Sequence, residues 1–174
     1  SDRCSERYWS DAKRIGLARA QLLPLATKSA KAMKAKFKNT EIAYCAGIID
    51  GEGYIGIVER QSSARHRSLE YVLQMSVTIS DHNTVLLLRR MFKGDVRNTR
   101  PRKNGYKPLF AWKTTGWATY AALMTLRPWM RIKRRQASLG IEFQRRKGYS
   151  RTRSFVPEKT LARRLRYWLR MRQL

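Results

Sequence analysis

The nine residues Cys45-Ala46-Gly47-Ile48-Ile49-Asp50-Gly51-Glu52-Gly53 constrain this chain more than any other stretch. Thr40 with Glu41 makes a helix start, and the helix is predicted to run through Ile42, Tyr44, Cys45, Ile48 and Ile49 and to stop at Gly51-Glu52-Gly53. Asp50 and Glu52 then stand at the end of a helix whose last carbonyls carry partial negative charge. Something positive must offset them, and a divalent cation is the natural candidate, since Mg²⁺ prefers carboxylate and carbonyl oxygens and keeps several waters. Gly47 and Gly51, four residues apart with Ala46 alongside, form a small-residue stripe on which a second helix can approach closely. Gly51 and Gly53 also permit the turn from helix to strand. A capped helix that runs into a hairpin strand, its acids merely solvated, accounts for the same residues and stays open on this ground.

The rest of the pattern is read around that helix. Tyr54–Glu59 is a strand, Gln61–Arg67 a polar loop, and Tyr71–Ile79 a second strand. In this second strand Tyr71, Leu73, Met75, Val77 and Ile79 alternate with Gln74, Ser76 and Thr78. A helix over His82–Phe92 ends at Gly94. Strands near Asp95–Arg100 and Leu109–Thr114 flank a basic turn, Arg100–Gly105. Helices follow at Gly116–Arg127, Ile132–Arg146 and Pro157–Met171, with Pro157 suited to a first helical turn. Two consecutive strand pairs predict an antiparallel sheet in an α+β domain over residues 40–174, with all helices on one face and the other face open to a partner. Residues 1–39 read differently. Ser10–Leu23 has apolar residues at rough helical spacing before Pro24, and a basic track of Lys28, Lys31, Lys34, Lys36 and Lys38 follows. This is a basic N-terminal arm with some helix, held more by a partner than by its own core, or else a solvated tail.

Composition bears on the partner. The chain has 174 residues, enough for one compact domain, and 43% of them are hydrophobic, so it can bury a core. It carries 38 Lys and Arg against 12 Asp and Glu, a formal net charge of +26. That excess demands a polyanion, and nucleic acid fits because counterion release drives Lys and Arg onto phosphates. Charge alone also admits a membrane surface or ribosomal RNA. The two cysteines, Cys4 and Cys45, lack metal-ligand spacing and point to a reducing, intracellular compartment. No apolar run approaches the roughly 20 residues that span a bilayer, and no signal-peptide pattern is present. Neither histidine, His66 in a loop or His82 at a helix start, reads as a nucleophile or ligand; each is expected to be solvent-exposed or a phosphate contact.

Cys45–Gly53 resembles the motif that names the LAGLIDADG homing endonucleases. It matches the consensus at Ala46, Gly47, Asp50 and Gly53, with Ile48 and Ile49 conservative and Glu52 in place of the second aspartate. Two further segments are similar to the family: Val77-Thr78-Ile79-Ser80 before a helix ending Met91-Phe92-Lys93-Gly94, and Leu126–Ala137 with its proline, basic run and Gln-Ala helix opening. The motif occurs once, which in this family implies a homodimer paired through the motif helix. The resemblance covers most of residues 41–146 and implies an αββαββα fold with a saddle-shaped antiparallel sheet laid in the DNA major groove; the basic arm before it lies outside the resemblance, and a C-terminal helix follows.

The resemblance also assigns roles. Glu52 is the implied metal ligand and catalytic acid, joined by the backbone carbonyl of Gly51, with Asp50 beside them as a further ligand or a structural group bonding backbone at the helix end. Ala46, Gly47 and Asp50 are implied at the dimer interface. Lys133 is implied to orient water or stabilise the pentavalent phosphate. Ser80 stands where many members place a water-positioning glutamine; it could hold a water or cap the next helix, and Asp81 follows it. The implied reaction is hydrolysis of both DNA strands with Mg²⁺ or another divalent cation. On the open face Arg60, Gln74, Ser76, Thr78, Arg97, Thr99, Lys107 and Lys113 are candidates for base and phosphate contacts, beside Glu70, Gly56 and Val58. A strand of about nine residues at ~3.3 Å spans roughly 30 Å, or about nine base pairs, so a dimer would read a pseudo-palindrome of roughly twenty. The arm and Arg163, Arg164, Arg166, Arg170 and Arg172 of the last helix are expected to add phosphate contacts. The alternatives within the same fold are an RNA maturase that binds intron RNA and a DNA-binding regulator that does not cleave.

Overall fold

The computed structural model describes residues 19–61, 69–99, 107–147 and 156–174. The loop containing His66, the turn at 100–105, Cys4 and the first part of the arm lie outside the described residues. Eleven elements follow in order: α1 (Arg19–Lys36), α2 (Asn39–Glu52), β1 (Gly53–Gln61), β2 (Leu69–Ile79), α3 (His82–Phe92), β3 (Asp95–Thr99), β4 (Leu109–Thr115), α4 (Gly116–Leu126), a 3₁₀ turn (Arg127–Trp129), α5 (Arg134–Arg146) and α6 (Glu158–Arg172). The strands form one antiparallel sheet in the order β1-β2-β4-β3. The chain is therefore α+β, with the αββαββα order predicted from the sequence running from α2 to α4, one helix before it, and the 3₁₀ turn and two helices after it.

Alternation sets which face of the sheet is covered. Tyr71, Leu73, Met75 and Val77 of β2 are buried, as are Ile55 and Ile57 of β1 and Trp112 of β4. The helices close over them with Ile42, Ile49, Leu88, Phe92, Leu123, Leu126 and Phe143, all fully buried. Each such aliphatic or aromatic side chain contributes about 1.5–3 kcal/mol when removed from water. Trp112 also donates from its indole nitrogen to the Lys93 carbonyl at 2.6 Å, which satisfies its one polar atom at the α3–β3 corner. Cys45 is buried beside the Met91 sulfur at 3.4 Å, and burial pushes its thiol pKa up to about 12. It is an inert core residue.

Several predicted features shift. The helix start moves to Asn39, with Lys38 at the cap and the Glu41 carboxylate accepting the Lys38 amide at 3.1 Å. Pro157 is the cap of α6 instead of its first helical residue. The arm changes most. α1 runs through Pro24 and buries Leu22, Ala26 and Ala30 against α4, and Thr125 of α4 donates to the Ala30 carbonyl at 3.4 Å. Residues 19–36 are thus held by the chain's own core. The reason lies in α4, where Thr119, Tyr120, Ala121, Ala122, Leu123, Thr125 and Leu126 are all buried. A helix apolar on nearly every side needs cover on both sides.

The step from α2 to β1 has no loop. Gly53 is extended (φ −85°, ψ 157°) immediately after the last helical residue. A Cβ there would meet the Ile49 carbonyl oxygen at 2.6 Å and the Ile49 Cα at 2.7 Å, both rigid backbone. Gly53→Ala is expected to destabilise the fold by about 2 kcal/mol, a drop of roughly 4–8 °C in Tm by circular dichroism. An unchanged Tm would show that the junction can relax. Among the described residues, no helix is long and apolar enough to cross a membrane.

Candidate DNA-binding face and active site

The uncovered face of the sheet is read from the strand register. Arg60 faces Glu70, Gly56 faces Gln74, and Tyr54 faces Ser76. Ser76 also pairs with Lys113, and Thr78 with Ala111. Arg97 lies opposite Ala111, Thr99 opposite Leu109, and Asp95 opposite Lys113. Arg60, Gln74, Ser76, Thr78, Arg97, Thr99 and Lys113 therefore share the open face. Lys107 is exposed but precedes β4 and is not part of the sheet.

The face is electropositive at its centre. Partial burial lowers the Lys113 pKa, and the neighbouring Arg60 and Arg97 guanidiniums lower it further, while Asp95 opposes them. Three like charges held together in this way attract an anion laid across the sheet. Arg60 donates to the Gln74 Oε1 at 2.9 Å. This bond orients both side chains on the open face. At the margin Glu70 is taken by Lys147 at 3.1 Å. Sequence reading missed Tyr54 and Asp95. The Tyr54 ring lies over Gly56, where any Cβ would collide with it, and half of Tyr54 remains exposed. Strand alternation from Gly56 and Val58 back to residue 54 could have found it.

The second centre is the C-terminal end of α2. The Asp50 carboxylate is buried and accepts three backbone N–H groups: Arg131 at 2.7 Å, Ile132 at 3.2 Å and Lys133 at 3.0 Å. Asp50 thus clamps the entry to α5 onto the end of α2. With its oxygens so engaged it does not offer itself to a metal, and its burial takes it off any dimer face. Lys133 sits above it. Its ammonium donates to the Ile49 carbonyl at 3.0 Å, to the Asp50 carbonyl, and more weakly to the Gly51 carbonyl at 3.4 Å. The positive charge required by the helix end is thus a lysine ammonium reaching across from residue 133. Glu52, the last residue of α2, is exposed. No cluster of three His, Cys, Asp or Glu exists among the described residues. One chain therefore supplies one free carboxylate and a neighbouring carbonyl. That donor set, one carboxylate and one carbonyl oxygen, is of the kind that a hard cation such as Mg²⁺ prefers.

Ser80 and the helix face of α2 need correction. The cap of α3 is Asp81, whose Oδ2 accepts the Thr84 amide at 2.8 Å and the Thr84 hydroxyl at 2.6 Å. These bonds hold the Asp81 pKa below its usual value. Ser80 does not cap; it is exposed at the end of β2, near the end of the ladder where Gly53 pairs with Val77. His82 stacks on Phe110 with ring centroids 4.3 Å apart. On α2, Ala46 is fully buried in the core, so it does not belong to the interface expected of it. The uncovered stripe is Tyr44, Gly47, Ile48 and Gly51, at helical spacing i, i+3, i+4, i+7. Tyr44 is 51% exposed, and a Cβ at Gly47 or Gly51 would touch nothing. Arg164, expected to contact phosphate, is instead buried and donates to the Lys147 carbonyl at the end of α5.

An antiparallel sheet with one basic open face, helices on the other and an acid-tipped helix running straight into its first strand defines a particular α+β fold. It is the fold of the LAGLIDADG homing endonucleases. The structure of I-CvuI in complex with the I-CreI target in the presence of 2 mM Mg, with the DNA not cleaved, superposes with a TM-score of 0.63 at 17% identity, covering 77% of this chain and 81% of that one. I-CvuI with its own target in the presence of 2 mM Ca gives 0.60 at 18% identity over 77% and 81%. The archaeal intron-encoded I-Vdi141I bound to DNA gives 0.55 at 14% identity over 78% and 84%. No protein-family model and no curated protein matches the sequence.

Proposed function

We propose that the chain is a site-specific DNA endonuclease of the mobile-intron type, acting as a homodimer on a pseudo-palindromic site of roughly twenty base pairs. The observation that carries this reading is the placement of Glu52. It is a free, exposed carboxylate at the tip of a helix that is uncovered along one stripe and adjoins the basic sheet face. Pairing two copies through Tyr44, Gly47, Ile48 and Gly51 brings two Glu52 carboxylates together above one duplex. Arg60, Gln74, Ser76, Thr78, Arg97, Thr99 and Lys113 contact bases and phosphates, and Lys107 reaches the backbone from the sheet margin. Glu52 and the Gly51 carbonyl would hold a divalent cation, which when bound would supply Lewis acidity for phosphodiester hydrolysis. Lys133 holds those carbonyls in place and brings its ammonium to the same end of α2, where it offsets charge on the phosphate. Ser80 positions water. The superposition on DNA-bound homing endonucleases supports the reading through the shared fold.

The test is incubation with Mg²⁺ and a library of intron insertion sites, scored for double-strand breaks. Binding without breaks at any site would leave a non-cleaving regulator or a maturase. Dimerisation is tested separately. Gly47→Glu places charge on the uncovered stripe without disturbing the monomer, where nothing lies within 4 Å of that position. Its Tm as a monomer should stay unchanged, while sedimentation on DNA should drop from a two-subunit to a one-subunit complex. A one-subunit complex for the unaltered protein would sink the dimer.

A further inference from the structure

One strongly charged feature lies away from the sheet's open face. α5 and α6 pack side by side over the covered face, Phe143 against Tyr167 with ring centroids 5.8 Å apart. Between them is a cleft of about 310 Å³ lined by Glu142, Arg146, Arg163, Arg166, Tyr167 and Arg170. Its one carboxylate is already committed. The Tyr167 hydroxyl donates to Glu142 Oε1 at 2.8 Å, and Arg146 Nε approaches the same oxygen at 3.4 Å. Arg146 and Arg170 also sit in the last turns of their helices, where the helix dipole favours cations. Arg163 and Arg166 have no such reason. Arg163, Arg166 and Arg170 repeat at i, i+3, i+7 on one strip, a spacing at which like charges destabilise a helix. All three are exposed and line the same cleft, an arrangement of charge that suits an anion.

We propose that this cleft is a second polynucleotide site, which grips the phosphodiester backbone of a strand other than the duplex on the sheet. Seven residues of helix span roughly 10 Å, long enough for the guanidiniums to meet successive phosphates of one strand. Guanidinium forks match phosphate oxygens two bonds at a time. A duplex lying on the open face cannot bend around to the helical layer, because DNA is stiff over about 150 base pairs. The occupant is therefore a separate strand, and the sheet and cleft can be filled together.

The experiment uses the full chain bound to one equivalent of an unlabelled random-sequence duplex. Labelled transfer RNA and labelled single-stranded DNA are titrated onto that complex in separate arms, which tell an RNA source from a DNA one. At least one strand should bind without releasing the duplex. Arg163→Gln with Arg166→Gln and Arg170→Gln should weaken strand binding tenfold or more and lower the slope of log affinity against log salt by about 2. The matching triple lysine variant should keep the slope, and all variants should keep duplex affinity. The single changes Arg163→Gln and Arg166→Gln, each expected to lower the slope by about 0.7–0.9, serve if the triple variant fails to fold. Displacement of the strand by excess duplex, equal weakening of strand and duplex, or no ternary complex in either arm would overturn the site. Cleavage at a target rests on Glu52 and is not read in this assay, so its failure is separate.

Discussion

Glu52→Gln should reduce DNA cleavage by about a thousandfold, the equivalent of roughly 4 kcal/mol of transition-state stabilisation, while duplex affinity stays within about twofold. Glutamine keeps the size and one oxygen of the side chain but removes the negative charge that would hold a divalent cation. The backbone of α2 has no reason to move, because Glu52 is exposed and its carboxylate carries none of the bonds that clamp the helix end. Single-turnover cleavage of a target duplex, with binding measured in Ca²⁺, reads the two effects apart. Retention of more than a tenth of the cleavage rate would remove Glu52 from the active site. A parallel loss of affinity would instead make it a folding residue.

Asp50→Ala should have the largest effect on stability. It leaves the Arg131, Ile132 and Lys133 amides without their acceptor at a buried junction. Each orphaned donor costs on the order of 1 kcal/mol or more, so the sum is about 3 kcal/mol, or roughly 6–12 °C in Tm. Asp50→Asn retains one acceptor oxygen and should lose less than Asp50→Ala. Cleavage should fall in both, since the clamp also fixes the segment from which Lys133 reaches the Ile49 and Asp50 carbonyls. A Tm within 2 °C of the parent in Asp50→Ala, well below this range, would mean the clamp contributes little.

Much of the fold was legible because it rests on periodicity. The alternation of Tyr71, Leu73, Met75 and Val77 against Gln74, Ser76 and Thr78 fixes both faces of β2, and pairing carries those faces across the sheet. The extent of α3, read as about His82–Phe92 with Gly94 after it, agrees with the structure, whereas its cap is Asp81 and not the Ser80 that the sequence offered. The arm was misread because Lys28, Lys31, Lys34 and Lys36 dominate its composition, whereas the small residues Ala26 and Ala30 decide where it packs. Ala46 was misassigned for a related reason. A stripe of small residues shows that something packs closely on a helix, but its direction is set by rotation of the helix against the sheet. That rotation turns Ala46 inward and Gly47 outward.

The order of helices and strands, the open polar face and the acid at the end of α2 were determined by the sequence alone, through local spacing. Two things were decided only by tertiary structure. The separation of Asp50 from Glu52 is one: two acids two residues apart fall on different sides of a helix end, and only the docking of residues 131–133 shows which is clamped and which is free. The meeting of α5 and α6 is the other. Their arginines are spread over 25 residues of sequence, and they become a single charged cleft only because Phe143 and Tyr167 bring the two helices into contact. Both depend on contacts between residues distant in the chain, and local spacing carries no information about those.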